Sequence, residues 1–81
     1  MKPLSDLKTG EHAYIVDLKC YASGLEVLNK GVFPGDAIQV LKNKPEDQEL
    51  CFASGQKEIC INRQKAKTVM THFVSYTFNL N

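Results

Sequence analysis

Apolar and polar residues alternate with a period of two through most of the chain, and a helical spacing interrupts that alternation once. From Glu11 to Lys19 the alternation sets Ala13 and Ile15 on one face and Tyr14, Val16 and Leu18 on the other. Both faces are partly apolar, which predicts a strand with something packed outside it. Asp36 to Lys42 reads as a second strand, with Ile38 and Val40 opposite in parity to Ala37, Gln39 and Leu41. Lys67 to Val74 reads as a last strand on Val69, Thr71 and Phe73. Ahead of them, Leu4 to Gly10 reads as a lead-in that ends in a turn at Thr9-Gly10.

The strongest local signal lies between residues 49 and 62. Glu49-Leu50-Cys51-Phe52-Ala53-Ser54 and Lys57-Glu58-Ile59-Cys60-Ile61-Asn62 flank Gly55-Gln56, and a two-residue loop with glycine first suits a type II′ hairpin. That turn fixes the register: Phe52 faces Ile59, Leu50 faces Ile61, and Cys51 faces Cys60 on the opposite side of the hairpin. The helical spacing runs from Ala22 to Lys30, where Leu25 and Leu28 share a face. Ser23 stands three residues before Glu26, a capping-box spacing that predicts Ser23 as the N-cap. Gly31 stops this helix and Pro34-Gly35 bars its continuation. Asn43 to Asp47 and Asn62 to Ala66 read as polar turns. Five short strands and one short helix predict an all-β fold, a small closed or half-open barrel.

A chain of 81 residues holds one domain, assigned here to residues 1–74, with 75–81 as a C-terminal extension. The extension keeps a strand-like alternation, which suits prolonging the last strand, pairing with a second copy into a homo-oligomer, or fraying. Ten Lys and Arg against nine Asp and Glu give a charge of +1, which argues against a nucleic-acid surface. No apolar run approaches the ~18 residues of a membrane helix, and the start lacks a signal peptide's apolar core. A cytoplasmic location is therefore expected. Three cysteines, an odd number without a secretory signal, predict reduced thiols. With no nucleophile–base pair, phosphate loop or paired carboxylate, the sequence does not read as an enzyme.

The run from Leu25 to Val40 resembles the signature of the FeoA family. There a short leucine-bearing helix runs into Gly, an apolar residue, then Pro-Gly and a strand, as Gly31-Val32-Phe33-Pro34-Gly35 does here. Leu4-Ser5-Asp6-Leu7-Lys8-Thr9-Gly10 resembles the family's opening, and Ile59-Cys60-Ile61 with Ala66 and Val69 its closing strands. The chain departs from many members in carrying Glu26-Val27 where they have basic residues ahead of the helix leucines, and Lys30 before the first glycine. The resemblance implies a small SH3-like barrel. It also implies a cytosolic adaptor of ferrous iron uptake that docks on a FeoB-type membrane transporter with a GTPase domain. Leu25, Val32 and Phe33 are the candidate docking residues, at the rim of a groove between helix and barrel, with core packing the competing reading for Val32 and Phe33. The alternative is a metal-binding SH3-like domain of a metal-dependent regulator, or a small metallochaperone.

For metal chemistry the sharpest constellation is Cys51 opposite Cys60, which as two thiolates would suit a soft metal with His12 or Cys20 as a third ligand. Fe(II) and Zn(II) are the cations in question. Set against this are two other readings: small packing residues on a half-buried face, and a cross-strand disulfide formed on oxidation. His12 and His72 sit at strand positions expected to be exposed, and Glu46, Asp47 and Glu49 form an acidic group expected to be a solvated turn.

Overall fold

In the computed structural model, which describes residues 1–74, the strands form one antiparallel sheet of six members rather than five. They are β1 (Lys2–Pro3), β2 (His12–Leu18), β3 (Ala37–Lys42), β4 (Glu49–Ser54), β5 (Lys57–Asn62) and β6 (Val69–Val74). Two α-helices, α1 (Tyr21–Asn29) and α2 (Arg63–Ala66), and a 3-10 turn at Leu4–Asp6 complete the described chain. The strand order is β1-β6-β2-β3-β4-β5, so the last strand lies between the first two and the ladder does not close between β1 and β5. The extension 75–81 lies outside the described residues.

The additional strand is the two-residue β1, which lies just ahead of the expected lead-in. Lys2 pairs with Thr71 and Pro3 with Met70, and the buried Thr71 hydroxyl donates to the Lys2 carbonyl at 2.8 Å. The Lys2 ammonium lies 5.4 Å from the centre of the Phe73 ring, a cation–π contact that further ties β1 to β6. The second helix occupies the expected turn at 62–66. Asn62 caps it by accepting a bond from the Gln64 amide at 2.7 Å, and the buried Ala66 is its contribution to the core.

Sheet curvature comes from two β-bulges, one between Ile15 and Asp17 on β2 and one between Val40 and Lys42 on β3. Each bulge leaves one apolar residue out of the alternation. Val16 is 40% exposed and Leu41 39%. The bulge also changes the parity beyond it, so Leu18, expected on the outer face with Tyr14, turns inward opposite the buried Val69 and packs against the core. Leu4, Leu7, Ile15, Val27, Val40, Leu50, Phe52, Ile61 and Val69 fill that core.

The β4–β5 hairpin has the register that its turn predicts: Leu50 opposite Ile61, Cys51 opposite Cys60, Phe52 opposite Ile59. Gly55 has φ +63° while no non-glycine residue among those described has positive φ, so only the first turn position is left-handed, as type II′ requires. Helix α1 begins one residue earlier than expected, at Tyr21, with Cys20 as its N-cap, and the Gly24 amide makes the first helical bond to the Cys20 carbonyl at 2.7 Å. Ser23 is therefore inside the first turn and buried, and the expected capping box is not formed. Glu26 instead pairs with Lys65 of α2 across the surface.

Candidate functional site

The segment from Tyr21 to Asp36 holds the family-like residues, and its geometry follows from how α1 ends. The Val32 amide bonds the Val27 carbonyl at 3.3 Å and the Gly31 amide bonds the Leu28 carbonyl at 2.9 Å. These two bonds, with Gly31 at φ +83°, make a Schellman motif. Such a cap brings the second residue past the helix end onto the residue three places before it. Here these are Val32 and Val27, both buried in the core. Val32, expected at a groove rim, is completely buried and takes no part in any exposed surface. The spacing of Gly31, Val32 and Val27 carried that signal in the sequence.

Phe33 has the opposite fate. Its amide donates to the Asp36 carboxylate at 2.9 Å and the Asp36 amide returns a bond to the Phe33 carbonyl at 3.0 Å, closing a turn over Pro34-Gly35. The turn docks on β2, with the Gly35 amide 2.6 Å from the Ile15 carbonyl and the Ile15 amide 3.0 Å from the Asp36 carbonyl. With its backbone held at both sides, the Phe33 ring is left outside, 52% exposed. Leu25 is also exposed. Tyr21, at 82%, is the most exposed large hydrophobic residue described. It precedes Leu25 by four and Leu28 by seven, so the three share one helical stripe. Placing the helix start at Ala22 concealed Tyr21 as a member of that stripe.

The cysteine pair lies elsewhere, on the outer face of the hairpin. Cys51 and Cys60 are joined as a disulfide, S–S 2.02 Å and Cα–Cα 4.0 Å, so the expectation of reduced thiols does not hold for these two. Counting from the turn, Ser54–Lys57 is a hydrogen-bonded pair, and the alternation makes Cys51–Cys60 a non-hydrogen-bonded one, where opposite side chains come closest. His12 is not with them. It lies at the start of β2 opposite Gln39 of β3 and Val74 of β6, three strands away from Cys60 in the sheet order. Among the described residues no group of three His, Cys, Asp or Glu side chains is arranged to hold a metal ion. His72 is exposed on β6, opposite Tyr14.

Cys20 keeps a free thiol, partly exposed at the start of α1. The Ser23 backbone amide, then the Ser23 hydroxyl and the Ala22 amide, hold this thiol below its ordinary pKa.

A polar clamp that the sequence reading missed closes the other end of the molecule. Asn43 donates through Nδ2 to the carbonyls of Ser5 (3.1 Å) and Leu7 (2.6 Å), and its own amide donates to the Thr9 hydroxyl at 3.2 Å. Arg63 donates through Nη1 to the Asn43 Oδ1, through Nε to the Asp47 carbonyl at 2.9 Å, and through Nη2 to the Lys44 carbonyl. The open depression beside it, lined by Ser5, Asp6, Leu7, Lys8, Thr9, Asn43, Pro45 and Arg63, has a volume of about 610 Å³. Each guanidinium nitrogen donates to a protein oxygen, two of them backbone carbonyls and one the Asn43 side chain, so this depression is a structural joint.

Comparison with known proteins agrees with the architecture. The FeoA domain family model matches residues 2–71. A crystal structure of an iron uptake regulatory protein, FeoA, superposes with a TM-score of 0.79 at 25% identity, covering 90% of this chain and 96% of that one. The solution structure of FeoA protein from Chlorobium tepidum gives 0.81 at 20% identity, covering 90% and 70%. A crystal structure of ScaR with bound Zn2+ gives 0.80 at 12% identity, covering 91% of this chain and 37% of that one. No curated protein matches the sequence.

Proposed function

Because the chain belongs to the FeoA family, we propose that it is a cytosolic accessory protein of ferrous iron uptake that docks on the cytoplasmic part of a FeoB-type transporter. Family membership over residues 2–71 carries the iron-uptake part of this reading. The docking part is supported by Phe33, whose ring is left outside by a turn braced on both sides, and by the exposed Leu25 of the preceding helix. Rigidly presented aromatic side chains are the usual anchors of such contacts, because little freedom is lost when they are covered. Val32 serves this surface from beneath, by fixing the helix end from which Phe33 projects. No helix among the described residues is long and apolar enough to cross a membrane.

The test is capture of the transporter's purified cytoplasmic domain by the full chain and by Phe33→Asp. Loss of a central aromatic anchor lowers affinity by about tenfold or more. Undiminished capture by a variant with unchanged circular dichroism overturns the docking surface.

The resemblance in fold to zinc-bound ScaR favours a second reading, a metal-binding domain of regulator type. In this chain Cys51, Cys60 and His12 would have to supply the ligands after reduction of the disulfide and a rearrangement of three strands. Titration of the reduced protein with Fe(II) or Zn(II) decides: no stoichiometric binding at micromolar metal removes it.

A further inference from the structure

We propose that Cys51 and Cys60 are a thiol–disulfide exchange site, opened and closed by dithiol and disulfide reagents without unfolding of the hairpin. This is independent of the docking reading, since the pair sits on the hairpin's outer face and not on the Tyr21–Asp36 segment.

The disulfide is redundant to the fold. The crosslink joins residues nine apart whose strands are already brought together by the Gly55-Gln56 turn and by the buried pairs Phe52–Ile59 and Leu50–Ile61. The register survives cleavage, because a slip of β5 by one residue would turn Ile59 and Ile61 out to solvent. The disulfide is also accessible. Cys60 is exposed on β5, which is an edge of the sheet, while Cys51 is half-buried on the neighbouring β4. A thiolate nucleophile thus approaches from the Cys60 side, with no buried structure to be moved first. After cleavage the sulfurs remain close. Two thiols at a non-hydrogen-bonded pair stay opposite each other, so the site closes again as an intramolecular step.

A thiolate of a dithiol reductant attacks Cys60 Sγ, forming a mixed disulfide there and expelling Cys51 as a thiolate, which takes up a proton. The reductant's second thiol then attacks its own sulfur in the mixed disulfide and releases Cys60. Two electrons and two protons reach the protein, and the reductant leaves as its cyclic disulfide.

The experiment uses the full chain carrying Cys20→Ser, which removes the third thiol and puts a favoured capping residue in its place. The oxidised protein is treated with millimolar dithiothreitol in native buffer, quenched with iodoacetamide and weighed intact. The expected result is two added alkyl groups within minutes, none after re-oxidation with oxidised glutathione, and the same far-ultraviolet circular dichroism in both states. In a second arm, adding Cys51→Ser leaves Cys60 without a partner, and oxidised glutathione then gives a stable single adduct. Release of the thiols only in denaturant, or re-oxidation into persistent glutathione adducts or crosslinked dimers when both cysteines are present, overturns the proposal.

Discussion

The β4–β5 hairpin and the Arg63 clamp hold the same sheet, one through contacts local in sequence and the other through distant ones. In the hairpin every defining contact lies within fourteen residues, from Glu49 to Asn62, and a glycine at φ +63° sets the register of all of them. In the clamp, Asn43 reaches back 38 residues to Ser5 and Arg63 reaches back 20 to Asn43. The hairpin is stabilised by apolar side chains that gain from leaving water, in rough proportion to area. The clamp gains little from its bonds as such, because water would make similar ones. What it supplies is satisfaction: the part-buried carbonyls of Ser5, Leu7 and Asp47 each receive a bond from it, and no buried side-chain nitrogen or oxygen among the described residues lacks a partner. The hairpin is thus held by what it buries, and the clamp is worth what its absence would cost.

That difference is open to three tests in one denaturation series. The largest effect is expected from Phe52→Ala, which empties the centre of the hairpin's inner face and costs about 3–5 kcal/mol. In urea the midpoint falls steeply, and for a domain of this size the variant is close to unfolded at room temperature. A loss below ~1 kcal/mol would mean that Phe52 is not central to the core. Next comes Asn43→Ala, which strands the Ser5 and Leu7 carbonyls and one guanidinium edge and costs about 2 kcal/mol. The sharper version is a double-mutant cycle with Arg63→Ala, where non-additivity of about 1 kcal/mol is expected because the two residues share one network. Strict additivity would dissolve the clamp as a unit. The smallest effect is expected from Gly55→Ala, about 1 kcal/mol for a left-handed turn residue that gains a Cβ with nothing within 4 Å to strike. A larger loss would show that the turn does more than set the register.

The same contrast explains how much could be read from the sequence. The hairpin was legible to the residue because alternation and a Gly-first loop are both local signals. Helix α1 was legible in extent to within one residue, but its cap was misplaced: Ser23 and Glu26 have the spacing of a capping box, while the chain turns helical at Cys20. Leu18 was assigned to the wrong face because a bulge at Val16 leaves no mark in composition, only a change of parity afterwards. Strand β1 was too short to show periodicity, and the clamp has none to show, since side chain-to-backbone bonds across 20–38 residues obey no spacing rule. In the candidate site, the sequence leaves Phe33 between a groove rim and the core, and its ring is exposed. Val32 was read beside it, although a Schellman cap sends these adjacent residues in opposite directions. The pairing of Cys51 with Cys60 followed from the register. Their bonding did not, because alternation says which side chains meet and nothing of their oxidation state.

The position of β6 has a consequence for how this protein is assembled on the ribosome. Strands β1 and β2 belong to the first eighteen residues, yet they are not neighbours: β6 lies between them, and the Thr71–Lys2 bond spans 69 residues. Until residues 69–74 have emerged, β2 has only β3 beside it and β1 has no strand at all. Assembly therefore ends with an insertion, in which the late strand must enter a slot bordered by two early ones, and pairings of such long range are slow to form. A chain cut before Val69 keeps only the four-stranded part β2-β3-β4-β5 and loses the partner of β1. It leaves β2 with an open inner edge, the kind of unpaired strand on which chains aggregate during synthesis.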